Sequence, residues 1–438
     1  MFFIYSIILT LAFVLLVPRF LFDAIFNGKY AAGFVQRLGF LPNFQQDDYP
    51  VVWVHCVSVG EANAARPLID RLRSNYPAHR LIVSTTTNTG QKLAREIFGG
   101  QAELVFYFPF DWRFSVRRAL RRFKPAVVLI METEIWFNFV REAHKSGARV
   151  AIVNGRLSER SRKRYSYIKS FMRRVLSYLD LALMQANGDA TRLMALGIRA
   201  NKVKVTGNLK FDHASHSGEP ALTESLRSRF GITADAPLII AASTHAGEEK
   251  WLLEAFREVW KSAGASLPRL MIAPRHPERF SEVRELIRST GFTWTRRSEA
   301  ESTRDKTAEV ILLDSIGELR AAFPLAEIVF VGGSLIPHGG QSVLEPAEAG
   351  RAIITGHYTA NFTEAMAGLL DNDAIIQLPV LRASETAAAL ADRIGELLTD
   401  PARRTELGAN AAAVMKRNRG AADKTIEHLR PLLLGENA

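Results

Sequence analysis

The sequence predicts an α/β fold made of two doubly wound, Rossmann-like domains that face each other across a cleft. Two series of short apolar runs, separated by helical stretches, carry this prediction, because such alternation is typical of parallel sheets covered by helices. A polar stretch at 208–236 lies between the two series and has the character of a linker. The length of 438 residues agrees, since it exceeds one ordinary core and suits two domains of about 200 residues.

The apolar runs place the strands. The first series consists of Val51–Cys56, Leu81–Ser84, Ala102–Phe106, Ala126–Met131, Arg149–Val153 and Leu181–Met184. The second consists of Leu238–Ala242, Leu270–Ala273, Val310–Leu313, Ile328–Val331 and Ala352–Thr355. In doubly wound sheets ligands bind at the carboxyl ends of the strands, so we search for functional residues directly after these runs.

Composition bounds the class of protein. With 47% hydrophobic and 23% charged residues the chain is globular, and neither disordered nor fibrous. A single cysteine, Cys56, excludes an intramolecular disulfide and a cysteine-based zinc site, and it indicates a reducing compartment. Cys56 lies in an apolar run and is expected to be a small core residue.

Charge is unevenly distributed along the chain. Residues 1–215 hold 31 Lys and Arg against 15 Asp and Glu, a balance of +16, whereas residues 216–438 hold 25 against 30, a balance of −5. A basic half indicates an anionic partner, either nucleic acid or a membrane surface.

The N-terminal segment favours a membrane surface over nucleic acid as this anionic partner. Phe2 to Val17 is almost wholly apolar, which amounts to about 24 Å of helix and is slightly short of a bilayer core. A cleaved signal peptide is the alternative, but no basic residue precedes the run and no small-x-small site closes it. Basic residues follow it instead (Arg19, Lys29, Arg37), so by the positive-inside rule we expect an uncleaved anchor in the cytoplasmic membrane, with the rest of the chain on its cytoplasmic face.

Two clusters of basic residues in the first half of the chain also fit an anionic membrane surface. One comprises Arg117, Arg118, Arg121 and Arg122, and the other runs from Ser158 through Lys169 to Arg174. Each could be no more than a solvated face, but an anchor on the same domain favours contact with anionic lipid. Aromatic residues are not interleaved as in single-strand binders, so no nucleic-acid partner is expected.

Carboxylates follow two strands of the first domain. Ser58-Val-Gly-Glu61 stands where a strand turns into its helix, and Gly60 would permit a tight turn there. Met131-Glu-Thr-Glu134 ends another strand with Glu132 and Glu134. Such carboxylates can do acid–base work or bind hydroxyls, but they can also merely favour a helix N-terminus. Spacing alone leaves both possibilities open.

Phosphate-binding chemistry concentrates in the second domain. Arg275, His276 and Arg279 fall within one turn after a strand, and guanidinium groups suit phosphate. Ser243 and His245 end another strand, and the glycines before Ser334 would let backbone N–H groups approach an anion. Three such features at successive strand ends predict a nucleotide-sugar site, and no metal-ligand spacing accompanies them.

Taken together, the motifs resemble the Kdo transferases, which add 3-deoxy-D-manno-octulosonic acid (Kdo) from CMP-Kdo to a lipid A precursor. The resemblance runs from the anchor to about residue 370. Its elements are His55-Cys-Val-Ser-Val-Gly-Glu61, Phe108-Pro-Phe-Asp111, Glu132-Thr-Glu-Ile-Trp136, Asn154-Gly-Arg-Leu-Ser158, Gly207-Asn208, Ser243-Thr-His245, Pro274-Arg-His-Pro-Glu-Arg279, Gly332-Gly-Ser334, Leu344-Glu-Pro-Ala347 and Asn361-Phe362.

The resemblance implies a GT-B fold and an inverting transfer that needs neither metal nor cofactor. It implies that Glu61 is the general base and that the donor site contains Ser243, His245, Arg275, Gly333, Ser334, Glu345 and Asn361. For the acceptor side it implies Ser58, Gly60, Glu132, Glu134 and Arg156. The chain departs from the family pattern at Trp136-Phe-Asn138, His338-Gly-Gly-Gln-Ser342 and Gly356-His-Tyr358.

The predicted organisation is a membrane anchor at 1–28, an acceptor-binding domain at 29–215, a linker at 216–236, a CMP-sugar-binding domain at 237–405 and C-terminal helices at 406–438. Two rival functions share these features. One is a UDP-sugar transferase that acts on a lipid, and the other is an inactive, membrane-bound sensor of nucleotide sugars. Competition between CMP and UDP would separate the first, and a turnover assay the second.

Overall fold

The computed structural model describes residues 1–27, 33–214, 220–233, 235–262 and 267–436. The chain divides into two compact units, the first formed by Met1–His213 with Arg419–Ala438 and the second by Ala214–Asn418. Within the described residues each unit is built on one parallel sheet of seven strands, flanked by helices. The prediction of two doubly wound α/β domains is therefore confirmed.

The first sheet has the strand order β3-β2-β1-β4-β5-β6-β7. Its strands are β1 (Val51–Cys56), β2 (Arg80–Thr85), β3 (Leu104–Tyr107), β4 (Val127–Met131), β5 (Arg149–Gly155), β6 (Leu181–Met184) and β7 (Val203–Val205). Along β1, Trp53 enters the core on one face while Val52 and Val54 enter the core on the other. Burial on both faces explains why these strands read as continuous apolar runs.

Up to residue 214, the first unit has helices before its first strand, between its strands and after the last of them. They are α1 (Phe2–Asn27), α2 (Phe34–Arg37), α3 (Val59–Asn75), α4 (Asn88–Phe98), α5 (Arg113–Phe123), α6 (Phe137–Lys145), α7 (Glu159–Ser166), α8 (Lys169–Leu176), α9 (Asn187–Ala195) and α10 (Leu209–Ala214).

The second sheet has the order β10-β11-β9-β8-β12-β13-β14. Its strands are β8 (Leu238–Thr244), β9 (Arg269–Pro274), β10 (Trp294–Arg296), β11 (Val310–Leu312), β12 (Ile328–Val331), β13 (Ala352–Thr355) and β14 (Ile376–Gln377). Its helices are α11 (Pro220–Phe230), α12 (Glu248–Ser262), α13 (Phe280–Arg288), α14 (Leu319–Ala322), α15 (Leu344–Glu348), α16 (Thr363–Leu370), α17 (Ala383–Thr399) and α18 (Pro401–Asn418).

The unit boundaries differ from the expected ones at two places. The segment expected to be a linker, 216–236, contains α11, because Leu226 and Phe230 are one helical turn apart and both are buried in the second unit. The expected C-terminal segment, 406–438, is divided, since α18 belongs to the second unit and α19 (Ala421–Leu433) to the first. Asp212 secures α19 by accepting the N–H groups of Gly420 (2.7 Å) and Ala422 (2.6 Å).

Each sheet has one switch point, where the strand order changes direction. In the first unit it lies between β1 and β4, and in the second it lies between β8 and β12. Ligands of doubly wound sheets bind in the crevice outside the carboxyl ends of such strands. The residues that follow these four strands are therefore the ones to examine for function.

Helix α1 is docked on the first unit by one side. Tyr5 donates to Asp111 (2.8 Å), Trp112 donates to Thr10 (3.1 Å), and Phe2 contacts the ring of Phe171. The opposite side of the helix is apolar and exposed, through Phe3, Ile4, Ile7, Ile8, Leu11, Val14, Leu15 and Leu16. In the part of the chain that the structure describes, no helix has the length and apolar character needed to cross a membrane.

Candidate active site

Glu61 lies at the switch point of the first unit, in the first turn of α3. Ser58 caps this helix, and its hydroxyl accepts the N–H of Glu61 (3.4 Å) and donates to the Glu61 carboxyl group (3.3 Å). The same carboxyl group accepts the N–H of Val57 (2.7 Å). The two residues therefore form a reciprocal cap that holds Glu61 in one orientation.

The environment of Glu61 suits a proton acceptor. Burial raises its pKa to about 8, and the negative charges of Glu132 and Glu134 act in the same direction. The hydrogen bonds from Val57 and Ser58 oppose the rise, but burial is the largest cause. A carboxylate with a pKa near the working pH is an effective general base, because it is ionised and still basic enough to take a proton.

Glu132 and Glu134 follow β4, across the switch point from Glu61. Burial raises the pKa of Glu134, with the charge of Glu132 as the second cause. Glu132 has a left-handed backbone (φ 53°), which is uncommon for any residue other than glycine and often marks a functional site. The structure thus brings three carboxyl groups to the ends of two neighbouring strands.

Lys210 is a residue of this site that the sequence did not reveal. Its ammonium group lies 3.2 Å from the carboxyl group of Glu132. Asn154, also in a left-handed conformation (φ 56°), accepts the N–H of Leu209 (2.9 Å) and so fixes the start of α10 next to β5. The only signal in the sequence is the position of Lys210 two residues after the Gly207-Asn208 motif.

The structure shows the backbone surroundings of two further residues predicted for the site in the first unit, Gly60 and Arg156. Gly60 was expected to permit a tight turn, but it lies inside α3 and does not have a positive φ, so no turn there requires glycine. Arg156 is tied to the β4 end through its backbone, since its N–H donates to the hydroxyl of Thr133 (2.9 Å). That hydroxyl donates in turn to the Arg156 carbonyl oxygen.

Ser243 and His245 lie at the switch point of the second unit, at the end of β8. Ser243 has a left-handed backbone (φ 55°), and its carbonyl oxygen lies 3.2 Å from Nδ1 of His245. Burial lowers the pKa of His245 to about 4, with His338, whose ring is 4.1 Å away, as the second cause. The ring is therefore neutral with a proton on Nδ1, and Nε2 is a hydrogen-bond acceptor.

Among the described residues, Nε2 of His245 is buried without a hydrogen-bond partner. An acceptor of this kind suits a hydroxyl group of a bound sugar or ribose better than a phosphate. The His245 ring thus offers a neutral hydrogen-bond acceptor at the end of β8, where the donor site is predicted.

The backbone of Gly333 and Ser334 is not free to bind a phosphate. Both N–H groups donate to the carboxyl group of Glu248, at 2.7 Å and 3.0 Å. The hydroxyl of Ser334 is fully buried, where it donates to the Val331 carbonyl oxygen (2.5 Å) and accepts the N–H of Gly356 (2.9 Å). The expectation that these amides bind the donor directly has to be corrected, because the chain's own carboxylate occupies them.

Arg275 and Arg279, expected to act together, have different roles. Arg279 is paired with the buried Glu249 (2.6 Å) and with Glu282 (2.9 Å). Arg275 is exposed, and within the described ranges its side chain makes no hydrogen bond or ion pair. Its backbone N–H donates to the Thr244 carbonyl oxygen (3.0 Å), which places it beside the end of β8. Arg275 is thus the cation of this pair that can take an anion.

Glu345 and Asn361 lie on either side of the loop at 338–342. Glu345 accepts a hydrogen bond from Ser342, lies 3.8 Å from Arg320 and is partly exposed. The side-chain amide of Asn361 donates to the carbonyl oxygens of His338 and Gly340, both at 3.3 Å. Asn361 therefore shapes this loop, whereas Glu345 offers a carboxylate to solvent.

The first basic cluster is largely engaged by the protein itself. Arg117 pairs with the buried Glu142 (2.6 Å), the guanidinium of Arg118 lies over the ring of Phe40, and Arg122 donates to Asn43 (2.6 Å). The second cluster is more exposed, with Lys163, Arg164, Lys169, Arg173 and Arg174 all open to solvent. In the described part of the chain, no group of three or more His, Cys, Asp or Glu residues could hold a metal ion.

Solved structures share this architecture. A UDP-GlcNAc 2-epimerase from Neisseria meningitidis matches with a TM-score of 0.57 and 14% identity, over 87% of this chain and 99% of that chain. A glycosyltransferase from Rickettsia africae matches with a TM-score of 0.55 and 13% identity, over 89% and 99%. At such identity the likeness concerns the fold, which is that of the GT-B glycosyltransferases.

Sequence relatives narrow the class. The family model described as 3-deoxy-D-manno-octulosonic-acid transferase (kdotransferase) matches residues 32–213. The 3-deoxy-D-manno-octulosonic acid transferase of Haemophilus influenzae is 34% identical over 405 residues, which is 92% of each chain. That of Bordetella pertussis is 33% identical over 384 residues, 86% of each. The chain belongs to the Kdo transferase family. It is a glycosyltransferase of lipopolysaccharide biosynthesis, as the motifs predicted.

Proposed function

We propose that this enzyme transfers Kdo from CMP-Kdo to a hydroxyl group of a phosphorylated lipid A precursor, with inversion at the anomeric carbon. The observation that carries the proposal is the buried Glu61 at a switch point, oriented by Ser58 and Val57, with a pKa raised to about 8. Its carboxylate takes the proton from the acceptor hydroxyl as that oxygen attacks the anomeric carbon. A direct attack opposite the leaving phosphate inverts the configuration.

The donor is assigned to the second unit. CMP-Kdo has one phosphate with a single charge, and the unpaired guanidinium of Arg275 supplies one positive charge for it. The neutral Nε2 of His245 accepts a hydrogen bond from a hydroxyl group of the donor, and the Glu345 carboxylate accepts hydrogen bonds from the ribose hydroxyls. Each of these roles can be filled without a metal ion.

The acceptor is assigned to the first unit, where it meets Glu61, Glu132 and Lys210. The Lys210 ammonium group neutralises Glu132, so that the phosphorylated acceptor does not face three negative carboxylates. The exposed basic residues of α7 and α8, which pack near the start of α1, suit the phosphates of the acceptor and of neighbouring lipids.

The membrane partner is an anionic bilayer, which α1 contacts from the cytoplasmic side. Its docked side carries the polar contacts of Tyr5, Ser6 and Thr10, whereas its outward side is apolar, the reverse of a helix at a water-exposed surface. A helix of this kind lies in the interface, with its apolar face about 5–10 Å into the lipid. Tyr167, 89% exposed between α7 and α8, adds an aromatic side chain suited to the headgroup level.

Product analysis tests the chemistry. The protein is incubated with CMP-Kdo and a defined lipid A precursor, and mass spectrometry looks for the mass of one or more added Kdo residues. UDP-sugars in parallel test the rival donor class, and NMR of the product reports the anomeric configuration. Transfer from a UDP-sugar, or hydrolysis of CMP-Kdo without transfer, would contradict the proposal.

Vesicle binding tests the membrane contact. Leu11→Glu with Leu15→Glu should abolish sedimentation with any vesicle, because it places charge on the outward face of α1. Neutralising Lys163, Arg164 and Lys169 should weaken sedimentation with phosphatidylglycerol vesicles and leave phosphatidylcholine binding unchanged. Lys261→Gln, an exposed charge on the second unit, is the matched control. Equal binding by all variants would remove this face from the membrane contact.

A further inference from the structure

Glu248 is a buried carboxylate that the mechanism above does not use. It begins α12, has no exposed surface, and accepts backbone N–H groups from two separate segments. One oxygen accepts from His245 (2.9 Å) and Gly333 (2.7 Å), and the other accepts from Ser334 and Leu335, both at 3.0 Å. Four N–H donors thus converge on one carboxyl group.

Three of these donors form an anion-binding turn. Gly333 is left-handed (φ 65°), so the N–H groups of Gly333, Ser334 and Leu335 line a concave surface at the end of β12. Consecutive N–H groups arranged in this way form a nest that binds phosphate in many proteins. We call this turn the 333–335 nest. Here it holds the chain's own carboxylate.

The surrounding backbone is shaped to fit that carboxylate. A Cβ at Gly332 would lie 2.9 Å from an oxygen of Glu248 and 2.6 Å from the carbonyl oxygen of Ser243. Glycine is therefore required beside the nest. Burial raises the pKa of Glu248, and the hydrogen bonds from the four N–H groups oppose that rise. Both oxygens accept N–H groups, so a proton on either oxygen would face a donor, and this geometry fits the ionised form of Glu248.

The filled nest has a consequence for the donor. A nucleoside diphosphate sugar has a second charged phosphate, which needs N–H groups or a further cation at the switch point. The nest cannot provide them, and the Glu248 carboxylate repels a second anion. A like charge placed against a competing ligand is an effective way to exclude it.

We propose that Glu248 is a specificity-determining residue, whose carboxylate fills the 333–335 nest and so restricts the site to donors with a single phosphate. This inference rests on the proposed CMP-sugar function. It gives Glu248 a positioning role as well, since the same four bonds hold His245 and the end of β12 together.

Binding of CMP and CDP tests this inference, because the two nucleotides differ only in the second phosphate. Calorimetry on the full chain in detergent should show that the wild type binds CMP more tightly than CDP. Glu248→Gln keeps the size of the side chain but removes its charge. It should reduce the ratio of CMP affinity to CDP affinity by about tenfold or more. Glu248→Asp keeps the charge and should retain the preference for CMP.

Glu249→Gln is the matched control. It alters the adjacent buried glutamate, which pairs with Arg279 and does not contact the nest, so it should cost stability without changing the ratio. Three results would overturn the inference: a wild type that binds CDP at least as tightly as CMP, a folded Glu248→Gln with an unchanged ratio, or a change shared by Glu249→Gln. If Glu248→Gln does not fold, the wild-type ratio and Glu248→Asp still decide. Absence of any CMP binding would overturn the proposed donor itself, which is a separate result.

Discussion

The hydroxyl of Tyr5 in α1 donates to the carboxyl group of Asp111 over 2.8 Å, and that carboxyl group also accepts the N–H groups of Asn138 (3.0 Å) and Phe139 (2.7 Å). One buried carboxylate therefore holds the N-terminal helix and the start of α6. Burial raises the pKa of Asp111 to about 7, and it also raises that of Tyr5. The helix proposed to meet the membrane is thus attached to the rest of the first unit by a specific polar contact.

Replacing Tyr5 with Phe should loosen that attachment. The change leaves a buried acceptor without one donor, which costs about 1–3 kcal/mol of unfolding free energy. We expect faster hydrogen exchange of the α1 amides and a lower melting temperature for the first unit. Tyr167→Phe, at an exposed site, is the control and should change neither. Unaltered exchange in α1 would mean that its other polar and apolar contacts hold it without the Tyr5 hydrogen bond.

Glu61→Gln tests the general base. Glutamine keeps the shape and can still accept the N–H of Val57, but it cannot take a proton. The chemical step in single-turnover kinetics should fall by about 10²–10⁴. CMP affinity should remain within a few-fold, because Glu61 is assigned to the acceptor.

Stability gives a second readout for Glu61→Gln, because the change that slows the reaction should also alter how the free energy of unfolding depends on pH. The folded-state pKa of Glu61, about 8, exceeds its ordinary value, so the ionised carboxylate opposes folding. The unfolded chain binds fewer protons between about pH 4.5 and 8, so stability decreases as the pH rises through that window. Glu61→Gln should flatten this decrease. Near-wild-type turnover together with lower stability at every pH would reduce Glu61 to a helix cap.

The sequence predicted most of the fold because central strands are buried on both faces and read as apolar runs. It missed β7, β10 and β14, and the reason is physical: each is an edge strand of two or three residues that pairs on one side. The α11 helix was missed because its two buried apolar residues, Leu226 and Phe230, stand among polar ones.

The positions of Glu61 and Arg275 at the ends of β1 and β9 were predictable, because each residue follows its strand closely in the sequence. Lys210 and Glu248 could not be found in this way, because their roles depend on partners 78 and 85 residues away in the chain. The sequence also could not show that Glu248 occupies the amides of Gly333 and Ser334, so these amides were expected to be available to the donor. A glycine pair predicts a tight backbone approach, but it does not say which anion approaches.

Arg275 and Arg279 offer a paired test of the donor phosphate. Arg275→Ala should lower kcat/KM by a factor equivalent to about 1.5–3 kcal/mol of transition-state stabilisation, since a charged hydrogen bond to the phosphate is lost. Arg275→Lys should restore only part, because an ammonium lacks the planar fork. Arg279→Ala should instead lower the melting temperature, because it leaves Glu249 buried and unpaired. A loss of donor binding confined to the Arg279 variant would reverse this assignment.

The pH dependence of activity should report the carboxylates around Glu61. Since the base must be ionised, kcat/KM should rise with pH up to about 8 and then level off. Glu134→Gln removes a nearby negative charge that raises the pKa of Glu61, so the acidic limb should move to lower pH. The comparison is a kcat/KM profile of the two proteins from pH 5 to 10. An unshifted limb would mean that the charge of Glu134 does not contribute to the pKa of Glu61.

Lys210→Gln should move the same limb in the opposite direction. Its ammonium group lies 3.2 Å from Glu132 and offsets the negative charge that raises the pKa of Glu61. Without it Glu132 acts at full strength, so the acidic limb should move to higher pH and activity at neutral pH should fall. Lys202→Gln, which removes a lysine that donates to the Leu179 carbonyl oxygen, is the control and should leave the profile unchanged. Opposite shifts in Glu134→Gln and Lys210→Gln would place both residues in one electrostatic system with the base. If Lys210→Gln lowers kcat at every pH without moving the limb, Lys210 contacts the acceptor instead of tuning Glu61.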